Sequence, residues 1–254
     1  MGGAAILKKQ FESVLGGGAL DWQARPAPAL VSSGVPELDQ TVGGLPRGCL
    51  TEIIGAASSG RMSLLVAMLA EAARRDEVCA LVDAEDAFDP VSAAAAGMRL
   101  ERLLWVRCGH RADHALKAAD LLIQGGGFGM VAMDLGDTPP QTARRISLTS
   151  WFRLRRAVEY TPTVLLAVSR RPNAKTCASL TLECVREDLE WSGKAQGRLL
   201  RKSRTRVGGG KNQNIRRFTP ANAGERKRGL HADPHSPAAQ MTFFAAAAHP
   251  SLPR

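Results

Sequence analysis

The chain has no continuous apolar run near the roughly 20 residues that a membrane-spanning helix needs, so no helical span is predicted. Its opening Met1-Gly2-Gly3-Ala4-Ala5-Ile6-Leu7-Lys8-Lys9 places no apolar h-region behind the charges, and no secretory signal is expected. Five cysteines (Cys49, Cys79, Cys108, Cys177, Cys184) include no Cys-x-x-Cys pair. Most lie in or beside apolar strand-like runs, which reads as buried free thiols in a reducing cytoplasm. Trp22, Trp105, Trp151 and Trp191 are too dispersed for a base-stacking platform and read as packing residues. Cys108, His110 and His114 have metal-like spacing but no evident fourth ligand. No internal repeat is present.

What remains is ordinary for a soluble globular protein: 44% apolar and 23% charged residues over 254 positions. That length accommodates one α/β domain with a good core and an appendage. The net charge of +10 is concentrated late. Between Lys194 and Arg228 there are twelve Lys or Arg and one acid, Glu225, which leaves the rest near neutral. A basic segment rich in Gly, Asn and Pro is expected to be disordered. It reads either as a contact for nucleic acid or another polyanion, or as a solubilising tail.

The middle of the chain alternates strand-like and helix-like segments, the pattern of a mostly parallel sheet covered by helices. Strands are expected at Leu50–Ile54, Val78–Val82, Leu103–Arg107, Met130–Asp134, Thr163–Val168 and Leu180–Val185. Helices are expected at Ser63–Arg75, Ala87–Gly97, Asp113–Gln124 (with Asp113 as its N-cap) and Gln141–Tyr160. Ala4–Leu15 patterns as a short amphipathic helix, followed by a Pro/Ala-rich linker. The division expected is an N-terminal helix and linker at 1–30, a core at 31–207 and a basic tail at 208–254. Met241–Ala248 reads equally as a helix or a docking peptide.

The most chemical segment is Gly55-Ala56-Ala57-Ser58-Ser59-Gly60-Arg61-Met62-Ser63. Its glycines fit the phosphate-binding pattern G-x-x-x-x-G-K followed by Ser or Thr, between an apolar strand and a helix. The lysine position holds Arg61 and the hydroxyl position holds Met62. Arginine keeps the charge in a longer planar fork, and a thioether suits a hard cation poorly. Ser63 is displaced by a helical rotation of about 100°. The backbone N–H groups can still cradle an anion. Asp134 closes an apolar strand where a carboxylate can organise magnesium, and Glu85 follows another where it can orient a water. All three features fall at carboxyl ends of strands, where open parallel sheets collect ligands.

The run from Val31 to Asp137 resembles the core of the RecA recombinase family. The resemblance rests on Ser32-Ser33-Gly34-Val35-Pro36-Glu37-Leu38-Asp39, Gly43-Gly44-Leu45-Pro46-Arg47-Gly48 and Glu52-Ile53-Ile54-Gly55 with Ser58-Ser59-Gly60. It is most specific in Val82-Asp83-Ala84-Glu85-Asp86-Ala87-Phe88-Asp89-Pro90. It extends through patchier matches over about residues 5–207, including Lys9-Gln10-Phe11, similar to the family's subunit-docking helix, and Cys177–Glu183, similar to a late core strand.

The resemblance implies a RecA-like P-loop core with ATP and Mg as cofactors. In that frame Gly55, Ser58, Ser59, Gly60, Arg61, Met62 and Ser63 line the phosphate site. Asp89 contacts the nucleotide base, Glu85 activates water and Asp134 organises Mg. Ser92 stands where the family has a stacking tyrosine. The two DNA-gripping loops are cut down at Asp134–Pro140 and Ser169–Lys175, which leaves Arg170, Arg171, Arg201, Lys202, Arg204 and Arg206 as nucleic-acid contacts. A shortened core with an altered P-loop and a basic tail resembles the ImuA group of translesion-synthesis accessory proteins. That implies a cytoplasmic DNA-repair module with error-prone polymerase or recombinase partners, single-stranded DNA contacts and weak or absent ATP hydrolysis. The likeness of Lys9-Gln10-Phe11 to the RecA docking helix implies that oligomerisation through the N-terminal helix is open to the chain. The alternative is an ATP-dependent, single-stranded-DNA-binding recombinase paralogue. A cell-division inhibitor of the SulA type shares the fold but not this loop.

Overall fold

The computed structural model describes residues 27–193, 199–211 and 239–244. Strand β1 (Leu30–Val31) pairs antiparallel with β2 (Leu45–Pro46), and α1 (Pro36–Val42) lies between them in the chain. The alternation then runs β3 (Cys49–Gly55), α2 (Arg61–Arg74), β4 (Cys79–Asp83), α3 (Pro90–Ala95), β5 (Leu103–Arg107) and α4 (Ala112–Gly125). It continues with β6 (Met130–Asp134), α5 (Pro140–Arg144), α6 (Leu148–Val158) and β7 (Val164–Ser169). Three strands follow: β8 (Leu180–Ser192), β9 (Leu199–Lys211) and β10 (Ala239–Phe244).

Among the described residues these form an eight-stranded sheet in the order β10-β9-β8-β3-β7-β6-β4-β5. The neighbours from β8 to β5 are parallel, while β9 and β10 are antiparallel additions at one edge. The expected α/β architecture, with helices on a mostly parallel sheet, is present. No helix among the described residues is long and apolar enough to cross a membrane.

Successive strand residues serve opposite faces, which explains why the strands read as continuous apolar runs. Ile53, Leu81, Ala132 and Leu166 face one side and pack with Leu64, Leu65, Met68 and Leu69 of α2. Leu50, Val82, Val131 and Leu165 face the other and pack with Ala115, Ala119 and Ile123 of α4 and Trp151, Leu154 and Val158 of α6. A helix as short as α6 is marginal by itself, so burial holds it, at about 1.5–3 kcal/mol for each large apolar side chain. Glu52 is a buried exception on β3, where its Oε1 accepts the N–H of Asn173 at 2.6 Å and of Ala174 at 3.0 Å.

Several boundaries differ from expectation for local reasons. The helix expected over Gln141–Tyr160 is two helices, because Ser147 caps a new start by accepting the N–H of Ser150. The one expected at Ala87–Gly97 begins only at Pro90, because Asp89 caps it through the N–H groups of Val91 and Ser92. Asp113 lies in the first turn of α4 rather than at its cap, which is Arg111. The last parallel strand runs past Val185 to Ser192, and the basic stretch beyond it is strand β9, which carries the sheet across the 207/208 boundary to Lys211. Within Met241–Ala248, residues through Phe244 belong to β10. The helix expected at 4–15 and the tail segments 212–238 and 245–254 lie outside the described residues.

Gly209 shows how closely β9 is integrated. A Cβ there would overlap Val42 Cγ1 of α1 and lie 3.7 Å from Leu182 Cδ2, whereas nothing stands within 4 Å at Gly208. Gly209→Ala is therefore expected to destabilise by about 1–3 kcal/mol through overpacking. Gly208→Ala should shift stability by no more than about 0.5 kcal/mol. Urea-unfolding midpoints at constant m-value check the pair, and equal effects would contradict the packing.

Candidate functional site

The 55–63 loop leaves β3 and turns into α2 at the carboxyl edge of the sheet. Gly60 has a left-handed φ of 91°, and α2 starts without a side-chain cap or an acid in its first turn. Its first N–H groups therefore lack intrahelical partners and present positive partial charge. Gly55 is needed for close approach, since a Cβ there would lie 2.5 Å from both Cys184 O and Ser59 Oγ. Ser59 is 2% exposed, and its hydroxyl has no hydrogen-bond partner. Ser58 and Ser63 are exposed, and Met62 packs on the core cluster beneath α2.

Arg61 is buried and folds toward the loop after β6. Its Nη1 donates to Gly136 O at 3.1 Å, and its Nη2 lies 3.9 Å from Asp137 Oδ1. Arg170, from the end of β7, donates through Nε to the same Gly136 O at 3.1 Å and through Nη2 to Asp137 Oδ1 at 3.3 Å. Asp134 lies beneath this pair, with Oδ1 accepting Gly136 N–H at 2.7 Å. Burial pushes the Asp134 carboxyl up to about 6, against the pull of that amide and of Arg61. Burial likewise lowers the Arg61 guanidinium, while Asp134 and Asp137 raise it.

Glu85 reaches the same loop. Its Oε1 accepts the Thr138 hydroxyl at 2.7 Å, and its Oε2 is 3.0 Å from His110 Nδ1. Both oxygens already hold partners, so a water would have to compete for them. Asp89 is occupied as the cap of α3 and as acceptor of the Ser92 hydroxyl, and these bonds, the hydroxyl first, lower its pKa. It lines a cavity of about 430 Å³ beside Met62 and Ser63. On the other side of the start of α2 lies a second cavity, of about 600 Å³, between the loop and the β8–β9 hairpin.

The predicted nucleic-acid residues separate in space. Arg170 belongs to the Gly136 cluster, and Arg171 lines a small cleft beside it with Arg144 and Thr138. On β9, Arg206 pairs with Glu187 at 3.0 Å, while Arg204 stands opposite Asp188 and Lys202 opposite Glu190 in the ladder. The positive run is thus matched by acids on β8. The Arg201 side chain lies outside the described residues. No group of three or more His, Cys, Asp or Glu gathers as a metal site among the described residues. Cys108 is buried, and His110 turns to Glu85.

Sequence reading gave no role to Asp83, Gly136, Asp137, Thr138 or Arg186. Asp83 is 1% exposed and accepts N–H groups from Glu85 (3.2 Å), Ala87 (3.1 Å) and Phe88 (3.0 Å) and Trp105 Nε1 (3.3 Å), so it shapes the turn that carries Glu85. Its signal was an acid closing a buried strand, as for Asp134.

Residues 8–138 match the RecA N-terminal domain. The chain belongs to that family. It is 36% identical over 131 residues to Protein RecA of Laribacter hongkongensis, covering 49% of this chain and 37% of that protein. It is 39% identical over 116 residues to Protein RecA of Teredinibacter turnerae, covering 45% and 33%. It is 35% identical over 131 residues to Protein RecA of Brucella anthropi, covering 49% and 36%. The match thus spans about a third of the length of these curated relatives.

In this RecA-family chain the donor set does not suit magnesium. Where a hard cation needs several oxygen ligands, the loop places a thioether at the hydroxyl position, and the Arg61 guanidinium stands beside Asp134. The loop N–H groups and the Ser59 hydroxyl suit a phosphate better. Folding holds the Asp134 proton to higher pH, so stability should fall as pH rises from 3.8 to about 6. Ionised Asp134 then costs about 3 kcal/mol at neutral pH. Asp134→Asn is expected to stabilise the protein at pH 7 by about 1–3 kcal/mol, with the gain gone below about pH 4. Urea unfolding across that range checks the sign. Adding magnesium or EDTA without nucleotide should leave the melting temperature unchanged.

Proposed function

We propose that this chain is a RecA-like DNA-repair accessory protein of the ImuA type. It acts in damage-induced translesion synthesis through protein contacts and single-stranded DNA, and holds nucleotide phosphate with weak or absent hydrolysis. The observation that carries this reading is Arg61. It stands in the lysine position, buried, and donates to Gly136 O beside Asp134. A lysine ammonium is a compact, mobile point charge, whereas this fork is already committed to a carbonyl. Phosphoryl transfer depends on positioning plus metal and cation electrostatics, and those groups are spoken for here.

Two further features support an interaction role. The connections that would grip DNA are short: Leu135–Pro139 leads directly into α5, and Arg170–Ala174 leads directly into the turn before β8. Arg170 and Arg171 remain at the carboxyl edge as charged contacts for a phosphate backbone, with the salt-dependent affinity that such contacts carry. Polymerase or recombinase subunits are the partners this reading names, and the cytoplasm is its compartment.

The test is phosphate release by the full chain with ATP, magnesium and single-stranded DNA. Turnover is expected at background, unchanged by Glu85→Gln. DNA-stimulated turnover abolished by Glu85→Gln would instead establish the recombinase-paralogue reading, which the retained Glu85 and Asp134 favour. Arg61→Lys with Met62→Thr is expected to raise turnover above background.

A further inference from the structure

The β8–β9 hairpin brings together side chains that its sequence disperses. In the ladder Arg186 pairs with Thr205, Asp188 with Arg204, Leu189 with Ser203 and Trp191 with Leu200. Glu187 on one strand and Arg201 on the other are skipped as bulges. In a regular strand residues 186 and 189 would point to opposite faces. The bulge at Glu187 places Arg186, Leu189 and Trp191 on one face, and the bulge at Arg201 brings Leu200 there beside Ser203 and Thr205. The same face leads down to Leu182, Cys184 and Val207 in the core.

That face seats on the phosphate-type loop. A Cβ on Gly60 would lie 2.5 Å from Thr205 Oγ1, so loop and strand touch there. Beyond this contact they diverge around the cavity of about 600 Å³, lined by Arg186, Leu189, Trp191 and Leu200 of the hairpin, by Ser58 and Met62 of the loop, and by Arg61, Asp134 and Asp137 of the Gly136 cluster. Trp191 is 50% exposed. Arg186 is exposed and makes no ion pair among the described residues. The Ser59 hydroxyl, buried and without a partner, lies across the loop from Gly55. The cavity beside Asp89 and Ser92 offers only Phe88, which is 5% exposed and packed edge-on against Trp105 at 5.3 Å.

We propose that the hairpin-side cavity takes a nucleotide, with its base stacked on Trp191 and its phosphates between Arg186 and the N-terminus of α2. The base then lies on the opposite side of the loop from Asp89 and Ser92. The volume falls within the about 300–1,000 Å³ of small-ligand sites, and the lining combines an apolar wall with a few polar groups. A flat ring held on an indole with charge at one end selects a base-bearing phosphate over a simple anion. Because Arg61 stands beside Asp134, the ligand is held without a divalent cation. The proposal rests on the reading that the loop still accepts phosphate, and the test separates the two.

The full chain is titrated with ATP and with inorganic tripolyphosphate, both in EDTA, by calorimetry and tryptophan emission. ATP is expected to bind and change the emission, and tripolyphosphate to bind without changing it. Trp191→Ala should weaken ATP at least about fivefold and leave tripolyphosphate unchanged. Trp191→Phe should retain ATP binding within about threefold, which excludes misfolding as the cause. Asp89→Ala should leave both ligands within about twofold. ATP binding that depends on Asp89 and not on Trp191 overturns the base placement, while tripolyphosphate binding still upholds the phosphate reading. Failure of both ligands to bind overturns the two together.

Discussion

The carbonyl of Gly136 is a single acceptor shared by two guanidinium groups, from Arg61 on α2 and Arg170 at the end of β7. Around it the start of α2, the loop after β6 and the loop after β7 converge. A Cβ on Gly136 would stand 2.8 Å from Asp134 Oδ1 and 3.0 Å from Arg61 Nη1, so a larger residue there would displace both side chains. Asp134, Asp137 and the two arginines nearly cancel in charge. Asp134 and Asp137 offset only part of the desolvation that burial imposes on the Arg61 guanidinium.

The hairpin is the second determinant. A parallel sheet ending at β8 would leave the loop open to solvent on that side. Instead β9 turns back, meets Gly60 through Thr205, and converts an open edge into a walled cavity. Its positive charges are balanced across the ladder by Glu187, Asp188 and Glu190. Segments that look like a basic tail in one dimension are thereby part of the sheet. Arg206, Arg204 and Lys202 stand across the ladder from these acids.

Much of this was legible in the sequence, and the exceptions have identifiable causes. The buried parallel strands, the loop glycines and the acids at strand ends could be read because each depends on near neighbours. The fate of Arg61 could not, because its acceptor is a backbone carbonyl 75 residues away. Trp191 could not be grouped with Arg186 either, because regular alternation puts residues five apart on opposite faces and only the bulge at Glu187 brings these two to the same one. Ser147 divided a helix that apolar spacing alone ran together, since a local side-chain bond to Ser150 N competes with helix continuation.

Glu52 gives the arrangement its mechanical character. It lies on β3 three residues before the loop and fastens Asn173 and Ala174, while Ser169 Oγ donates to Arg171 O at 2.8 Å. The segment bearing Arg170 is thus pinned at both ends, and one of its anchors is the strand that delivers Arg61. β3 thus serves both arginines, Arg61 through the loop that it leads into and Arg170 through the segment that Glu52 holds.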